Sequence, residues 1–140
     1  MSQRESCKPG TVLVIDDDGR TVRTCRIILE HAGHTVLEAG DGDGGMYQLH
    51  EHPQAVDVVI MDWIMPGLDG HHWIKPMLDF DANLQIIFCT GHELNEPTQR
   101  LIEARAHGFI QKPIDPERLL ALVEECLIRR RAATAPEAGT

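Results

Sequence analysis

Five short runs of mostly apolar residues constrain the fold of this chain more than any other feature of its sequence. The runs are too short for helices, and the first of them is rich in β-branched side chains. Strands that are apolar on both faces are typical of a parallel sheet covered by helices on each side. The runs lie at residues 12–15, 36–39, 56–61, 84–89 and 109–110.

A helical stretch follows each run. Residues 20–31 place apolar side chains on one face, and Gly33 can end that helix. Residues 46–50 predict only a poor helix, because Gly44 and Gly45 precede them. The remaining helical stretches are one after Gly70 that Pro76 should kink or shorten, residues 97–107, and a last helix that begins at residues 115–117.

Strand–helix units in succession predict an α/β fold. We expect a five-stranded, doubly wound parallel sheet in the order 2-1-3-4-5, with the flavodoxin-like arrangement of three α/β/α layers. At 140 residues, the chain has the size of one domain. We therefore divide it into an N-terminal extension at 1–10, a folded domain at 11–131 and a flexible tail at 132–140.

Charge and cysteine content restrict the partners and the compartment. The chain has 13 Lys and Arg residues against 22 Asp and Glu residues, a net charge of −9 that would repel a nucleic-acid backbone. The apolar runs are far shorter than a membrane span, and the polar N-terminus does not resemble a signal peptide. The four cysteines follow no zinc-binding spacing. We expect free thiols in a cytoplasmic protein that contacts neither nucleic acid nor membrane.

Polar side chains stand at the carboxyl ends of the predicted strands. Asp16 and Asp17 follow the first strand, Asp62 the third, Thr90 the fourth and Lys112 the fifth. In a parallel sheet these ends share one edge, so we expect the acids in one pocket with the lysine and the hydroxyl group beside it. Clustered carboxylates repel one another unless a cation such as Mg²⁺ is bound. A carboxylate beside a metal, an ammonium group and a hydroxyl group can attack phosphorus and form an aspartyl phosphate.

Four motifs in this order resemble a known family, the CheY-like receiver domains of bacterial two-component response regulators. The resemblance covers about residues 11–130. It rests on VLVIDDD at 12–18, IMDWIMPGLDG at 60–70, CTG at 89–91 and GFIQKPI at 108–114. A single acidic pair would be a weak signal, whereas four motifs in the right order and spacing are specific.

The resemblance implies how the acidic residues act. Asp62 would be the phosphoacceptor. Asp16 and Asp17 would bind Mg²⁺ together with Asp62, and the backbone carbonyl of Ile64 would be a further metal ligand.

The same resemblance implies roles for the residues beside the acids. Thr90 would hydrogen-bond the phosphoryl group, Lys112 would pair with it, and the Lys112–Pro113 bond would be cis. Phe109 occupies the position of the family's aromatic switch residue and would follow Thr90 inward after phosphorylation. Ile64 and His92 occupy the two positions that tune the lifetime of the phosphoryl group.

The implied function is that of a signalling module rather than an enzyme, since it would catalyse only its own phosphorylation and dephosphorylation. A sensor histidine kinase or a histidine phosphotransfer protein would donate the phosphoryl group. The face made by the fourth helix, the fifth strand and the fifth helix would then change and regulate the binding of a downstream protein, which the sequence does not identify. Receiver domains often form homodimers through the same face.

Two other functions fit parts of the sequence. Residues 16–21, Asp-Asp-Asp-Gly-Arg-Thr, resemble the start of haloacid-dehalogenase-type phosphatases, in which Asp16 would be the nucleophile and Asp18 the acid/base. No acidic pair follows Lys112, however, and that function leaves Asp62 unexplained. A receiver-like binding module that is never phosphorylated is the third hypothesis, and the intact set of pocket residues argues against it.

Some of these residues also have purely structural interpretations. We expect Asp18 to cap a helix rather than bind metal. Phe109 could simply be a core aromatic residue. Arg129, Arg130 and Arg131 are expected to complement the negative end of the last helix dipole.

Overall fold

The computed structural model describes residues 8–91 and 93–134, and these form alternating strands and helices. The elements in chain order are β1 (Thr11–Ile15), α1 (Gly19–His31), β2 (Thr35–Ala39), α2 (Gly42–Glu51), β3 (Val58–Asp62), α3 (Gly70–Phe80), β4 (Gln85–Thr90), α4 (Glu96–Arg105), β5 (Gly108–Gln111) and α5 (Pro116–Thr134).

The strands form a single parallel sheet in the order β2-β1-β3-β4-β5, which confirms the predicted fold class and topology. In the middle of the sheet, Val12 of β1 is in register with Val36 of β2 on one side and with Val58 of β3 on the other. Strands β2 and β3 therefore lie on opposite sides of β1, and the helices α1 and α2 that connect these strands cover opposite faces of the sheet. A crevice forms at this point, at the carboxyl ends of β1 and β3.

Each face of the sheet buries its own apolar core. Val12 and Val14 point to the side covered by α1 and α5, whereas Leu13 and Ile15 point to the side covered by α2, α3 and α4. Successive strand residues face opposite sides of a sheet, so burial on both sides explains why the strands are nearly continuous apolar runs.

Helix α2 is longer than the sequence predicted, and its glycines explain the difference. A Cβ atom on Gly42 would lie 2.0 Å from the indole of Trp73, and one on Gly45 would lie 2.3 Å from Ile15 Cδ1. The helix begins at the capping residue Asp41, whose side chain accepts a 2.7 Å hydrogen bond from the Gly44 N–H. The low helix propensity of glycine is thus outweighed by close packing against β1 and α3.

Other element boundaries also differ from the predicted ones. Helix α3 continues past Pro76, because Ile74 and Met77 on its inner face are fully buried and this packing offsets the lost hydrogen bond. Helix α5 continues to Thr134, so residues 132–134 are helical, and residues 135–140 of the predicted tail lie outside the described part of the chain.

Arg130 does not play the role expected from its position near the end of α5. Its side chain is only 5% exposed, with Nε 3.0 Å from Asp57 Oδ1 and one terminal nitrogen 2.9 Å from Asp81 Oδ2. Asp57 precedes β3 and also accepts the Thr11 N–H through its other oxygen, at 2.9 Å. This buried ion cluster joins α5, β1, β3 and the end of α3 at the amino-terminal edge of the sheet.

We expect Arg130→Ala to lower the free energy of unfolding by about 3–5 kcal/mol, because it leaves two largely buried carboxylates without their cation. Urea denaturation followed by circular dichroism measures the change. Arg129→Ala is the matched control and should have an effect below about 1 kcal/mol, because Arg129 is exposed. Equal losses in the two variants would contradict the assigned role of Arg130.

Two histidines act as hydrogen-bond acceptors in the fold. Nδ1 of His34 accepts the Gly10 N–H at 3.0 Å, and Nδ1 of His107 accepts the Ile86 N–H at 2.9 Å. Burial, reinforced by nearby arginines, lowers the pKa of both imidazoles below the ordinary value of 6.5. Each imidazole must keep Nδ1 unprotonated to accept this hydrogen bond.

The free energy of unfolding should therefore be insensitive to these histidines above pH 6.5 and should fall as the pH drops below it. The reason is that the unfolded state binds protons that the folded state resists. Urea denaturation at several pH values between 7.5 and 5.5 measures this slope. His107→Asn keeps an acceptor oxygen but cannot be protonated, so it should show a shallower slope, whereas His52→Asn on the exposed surface should not.

Candidate functional site

The carboxyl ends of β1, β3, β4 and β5 bring the predicted pocket residues to one edge of the sheet. Asp16 directly follows β1, Asp62 ends β3, Thr90 ends β4, and Lys112 directly follows β5. The strands β3 and β4 include Asp62 and Thr90 as their last residues, so both residues are held by the sheet itself.

Three carboxylates form the centre of the site. Oxygen atoms of Asp16, Asp17 and Asp62 all lie within 4.8 Å of one another. Asp16 and Asp62 are 4% and 6% exposed, whereas Asp17 is open to solvent. A cluster of carboxylate oxygens with one open side suits a hard divalent cation that retains water ligands, as Mg²⁺ does.

Lys112 supplies a positive charge to the same pocket. Its Nζ donates to Asp16 Oδ2 at 3.0 Å and to Asp62 Oδ2 at 3.2 Å. The Lys112 N–H donates to the carbonyl oxygen of Thr90 at 2.8 Å, which fixes the backbone beside β4, and the Lys112–Pro113 bond is cis as predicted. Although burial opposes it, pairing with Asp16 and Asp62 raises the pKa of Lys112, which therefore carries an ammonium group.

The Asp16 carboxylate is less acidic than usual. Burial, with a contribution from the charge on Asp62, raises its pKa, while hydrogen bonds from the Asp18 N–H and Lys112 act in the opposite direction. The Asp16 Oδ1 atom accepts the Asp18 N–H at 2.9 Å, and the Asp16 N–H donates to the carbonyl of Ala39 at 3.1 Å. Backbone contacts to both neighbouring segments therefore fix Asp16 in the pocket.

The loop after β3 holds the Asp62 side chain in place. Asp62 Oδ1 accepts the Ile64 N–H at 3.1 Å, which leaves Oδ2 directed at Lys112. The loop closes through a 2.7 Å hydrogen bond from the Gly70 N–H to the carbonyl of Trp63. The Trp63 ring is buried and packs edge-on against Phe88, with ring centroids 5.0 Å apart. The motif at residues 60–70 contains Trp63 but gives it no role, and Phe88 lies outside the four motifs. The structure places both beside the loop that holds Asp62.

Three further predicted residues, Thr90, Ile64 and Phe109, differ in their exposure to solvent. Thr90 is fully buried, Ile64 is 43% exposed, and Phe109 is half-buried on β5, in register with Phe88. Phe109 packs against the core on the side of α2, α3 and α4. His92 lies outside the described residues.

Asp18 caps α1 and does not belong to the acidic cluster. Its side chain accepts the Arg20 N–H at 3.0 Å, and this hydrogen bond lowers the pKa of its carboxyl group. A carboxyl group with a lowered pKa suits a helix cap and is poorly suited to donate a proton as a general acid.

The sequence pattern of the response regulator receiver domain matches residues 12–124 of this chain. The chain belongs to this family. Receiver domains are signalling domains that bind Mg²⁺ at an acidic cluster, and in this receiver domain Asp16, Asp17 and Asp62 form such a cluster.

Related sequences agree with this family. The receiver domain is 29% identical to the chemotaxis protein CheY of Treponema pallidum, over 89% of this chain and 88% of that protein. It is 28% identical to the response regulator GtcR of Aneurinibacillus migulanus over 91% of this chain and 51% of that protein. It is also 28% identical to the phosphate regulon regulator PhoB of Escherichia coli, over 90% of this chain and 55% of that protein. The chain therefore spans about half the length of GtcR and PhoB.

Solved structures show the same fold. A receiver domain from Clostridium thermocellum superimposes with a TM-score of 0.81 at 25% identity, over 89% of this chain and 99% of that one. A chain of the CheX–CheY–BeF3–Mg²⁺ complex from Borrelia burgdorferi superimposes with a TM-score of 0.77 at 25% identity, over 89% of this chain and 97% of that one.

Saturation with Mg²⁺ should stabilise the receiver domain, by about 2.7 kcal/mol at a hundredfold excess over the dissociation constant. Thermal unfolding with and without MgCl₂ measures the effect. Asp17→Asn should lose most of this stabilisation, because it removes a carboxylate from the cluster. Asp18→Asn is the control, since asparagine caps a helix as well as aspartate and should leave the Mg²⁺ effect intact. A loss in Asp18→Asn instead would place the metal at the helix cap.

Proposed function

We propose that this receiver domain accepts a phosphoryl group on Asp62, in a Mg²⁺-dependent reaction, from a histidine kinase or a histidine phosphotransfer protein. One observation carries the proposal. The Lys112 ammonium group lies within hydrogen-bonding distance of both Asp16 and Asp62, in a pocket that holds three carboxylates. A nucleophilic carboxylate and a cation for the developing charge are thus already placed side by side.

The reaction transfers a phosphoryl group from an imidazole nitrogen of the donor to a carboxylate oxygen of Asp62. An Asp62 carboxylate oxygen forms a bond to phosphorus as the bond between phosphorus and the imidazole nitrogen of the donor breaks, and the leaving imidazole keeps the electron pair and takes up a proton. Lys112 turns from the carboxylates to the phosphoryl oxygens and neutralises their charge, and the Thr90 hydroxyl group donates to another of them. Asp16, Asp17, Asp62 and the Ile64 carbonyl would hold Mg²⁺, which when bound supplies further charge neutralisation.

Transfer of the signal follows from the position of Thr90 beside β5. An inward shift of Thr90 toward the phosphoryl group makes room for the half-buried Phe109 ring, and the face formed by α4, β5 and α5 changes with it. That face would then bind a downstream protein or a second copy of the receiver domain.

The lifetime of the phosphoryl group would depend on the side chains of Ile64 and His92. The Ile64 N–H donates to Asp62 Oδ1, and the exposed Ile64 side chain is therefore close enough to Asp62 to limit the approach of water. We assign the second tuning position to His92.

A cytoplasmic location is part of the proposal. Cys25, Cys89 and Cys126 are free and buried, as expected in a reducing compartment. Burial raises the pKa of Cys25 and Cys89 to about 12, so these thiols stay protonated at neutral pH. Within residues 8–91 and 93–134, no helix has the length and apolar character needed to cross a membrane.

Intact-protein mass spectrometry after incubation with phosphoramidate and MgCl₂ tests the proposal. We expect one added phosphoryl group, which requires Mg²⁺ and is absent in Asp62→Asn, because the nucleophile is then missing. Asp18→Asn should be labelled as efficiently as the unmodified chain.

Two results would contradict this assignment. Absence of labelling with phosphoramidate and with acetyl phosphate would favour a binding module that is not phosphorylated. Donor turnover that persists in Asp62→Asn but disappears in Asp16→Asn would favour the phosphatase mechanism.

A further inference from the structure

The first residue of α3 meets the ring of Phe88 at a point where a side chain does not fit. A Cβ atom on Gly70 would lie 2.4 Å from Phe88 Cε1 and 3.2 Å from the backbone oxygen of Asp62. Phe88 is fully buried in β4, so its ring cannot move into solvent. The requirement for glycine is steric rather than conformational, because Gly70 begins a helix and does not have a positive φ.

This contact is linked to the phosphoacceptor through the loop of residues 63–69. The Gly70 N–H closes the loop on the Trp63 carbonyl at 2.7 Å, and the Trp63 ring rests on the same Phe88 ring with an interplanar angle of 85°. Inside the loop, the Ile64 N–H holds Asp62 Oδ1 at 3.1 Å. Both ends of the loop that orients Asp62 therefore rest on one aromatic side chain.

We infer that Gly70 and Phe88 are a matched pair of positioning residues for the reaction at Asp62. Their close contact fixes how near the 63–69 loop lies to β4. It thereby fixes the position of the Asp62 carboxylate within the acidic cluster. The inference rests on the proposed function for its consequence in phosphoryl transfer, but its effect on Mg²⁺ binding can be measured separately. Groups that orient metal ligands from outside commonly change metal affinity or activity by about 10–100-fold.

The decisive experiment compares Gly70→Ala, Phe88→Leu and the double variant. Mg²⁺ affinity is measured by titrating MgCl₂ into ¹⁵N-labelled protein and following backbone amide shifts, and labelling by phosphoramidate is followed by mass spectrometry. Gly70→Ala should weaken Mg²⁺ binding and slow labelling by about 10–100-fold. Phe88→Leu should weaken both less, because the loop loses support but meets no clash.

The double variant gives the sharpest test, because Gly70→Ala should weaken Mg²⁺ binding in the unmodified chain and strengthen it in the Phe88→Leu variant. In the Phe88→Leu background the added methyl group fills space that the ring has left, so Gly70→Ala should improve Mg²⁺ affinity there. This comparison remains informative even if the Gly70→Ala single variant does not fold.

Gly10→Ala is the matched control for a general loss of stability. A Cβ atom on Gly10 would also lie 2.4 Å from a buried side chain, Leu127, but at the opposite edge of the sheet. In the folded state this variant should bind Mg²⁺ and accept a phosphoryl group like the unmodified chain.

Two outcomes would overturn the inference. One is a folded Gly70→Ala variant with unchanged Mg²⁺ affinity, and the other is a double variant that binds Mg²⁺ no better than Phe88→Leu. If the unmodified chain binds Mg²⁺ but is never labelled, the proposed function fails, and the Mg²⁺ titrations still decide the role of Gly70 and Phe88.

Discussion

Repulsion among three carboxylates is the constraint on which the arrangement of this receiver domain depends. Asp16, Asp17 and Asp62 are held within 4.8 Å of one another by the ends of two neighbouring strands. Two of them are buried, where charge–charge interactions are stronger than in water. The Lys112 ammonium group bonds to both buried acids and offsets part of the repulsion. The negative charge that remains is what a divalent cation can neutralise.

At the opposite edge of the sheet, an arginine rather than a lysine offsets the repulsion between two carboxylates. There Arg130 lies between Asp57 and Asp81, as Lys112 lies between Asp16 and Asp62. A guanidinium group is planar and presents its donors in a fixed geometry, which suits a permanent link between α5 and the sheet. A lysine is a point charge on a flexible stem and can turn toward a new anion. The chain thus has a rigid cation at the amino-terminal edge of the sheet and an adaptable one at the carboxyl-terminal edge.

Glycines that admit a neighbouring side chain set the spacing between the helices and the sheet. Gly42 and Gly45 let α2 approach Trp73 and Ile15, and Gly70 lets the loop after β3 approach Phe88. Interiors packed this closely transmit small displacements, because no free volume absorbs them. The position of the Asp62 carboxylate is therefore tied to the packing of the core beneath it.

The sequence by itself determined the class of fold, the strand order and the residues that meet at the carboxyl-terminal edge of the sheet. Apolar runs buried on both faces specify a parallel sheet, and a parallel sheet brings its strand ends together, so Asp16, Asp62, Thr90 and Lys112 could be placed without coordinates. The length of α2, the burial of Arg130 and the contact between Gly70 and Phe88 were decided only by the tertiary structure. Periodicity and propensity report what a segment favours locally, whereas these three features depend on pairs of residues that are distant along the chain. Close packing outweighs the poor helix propensity of glycine, and ion pairs with Asp57 and Asp81 offset the desolvation of Arg130. No local pattern records these contacts.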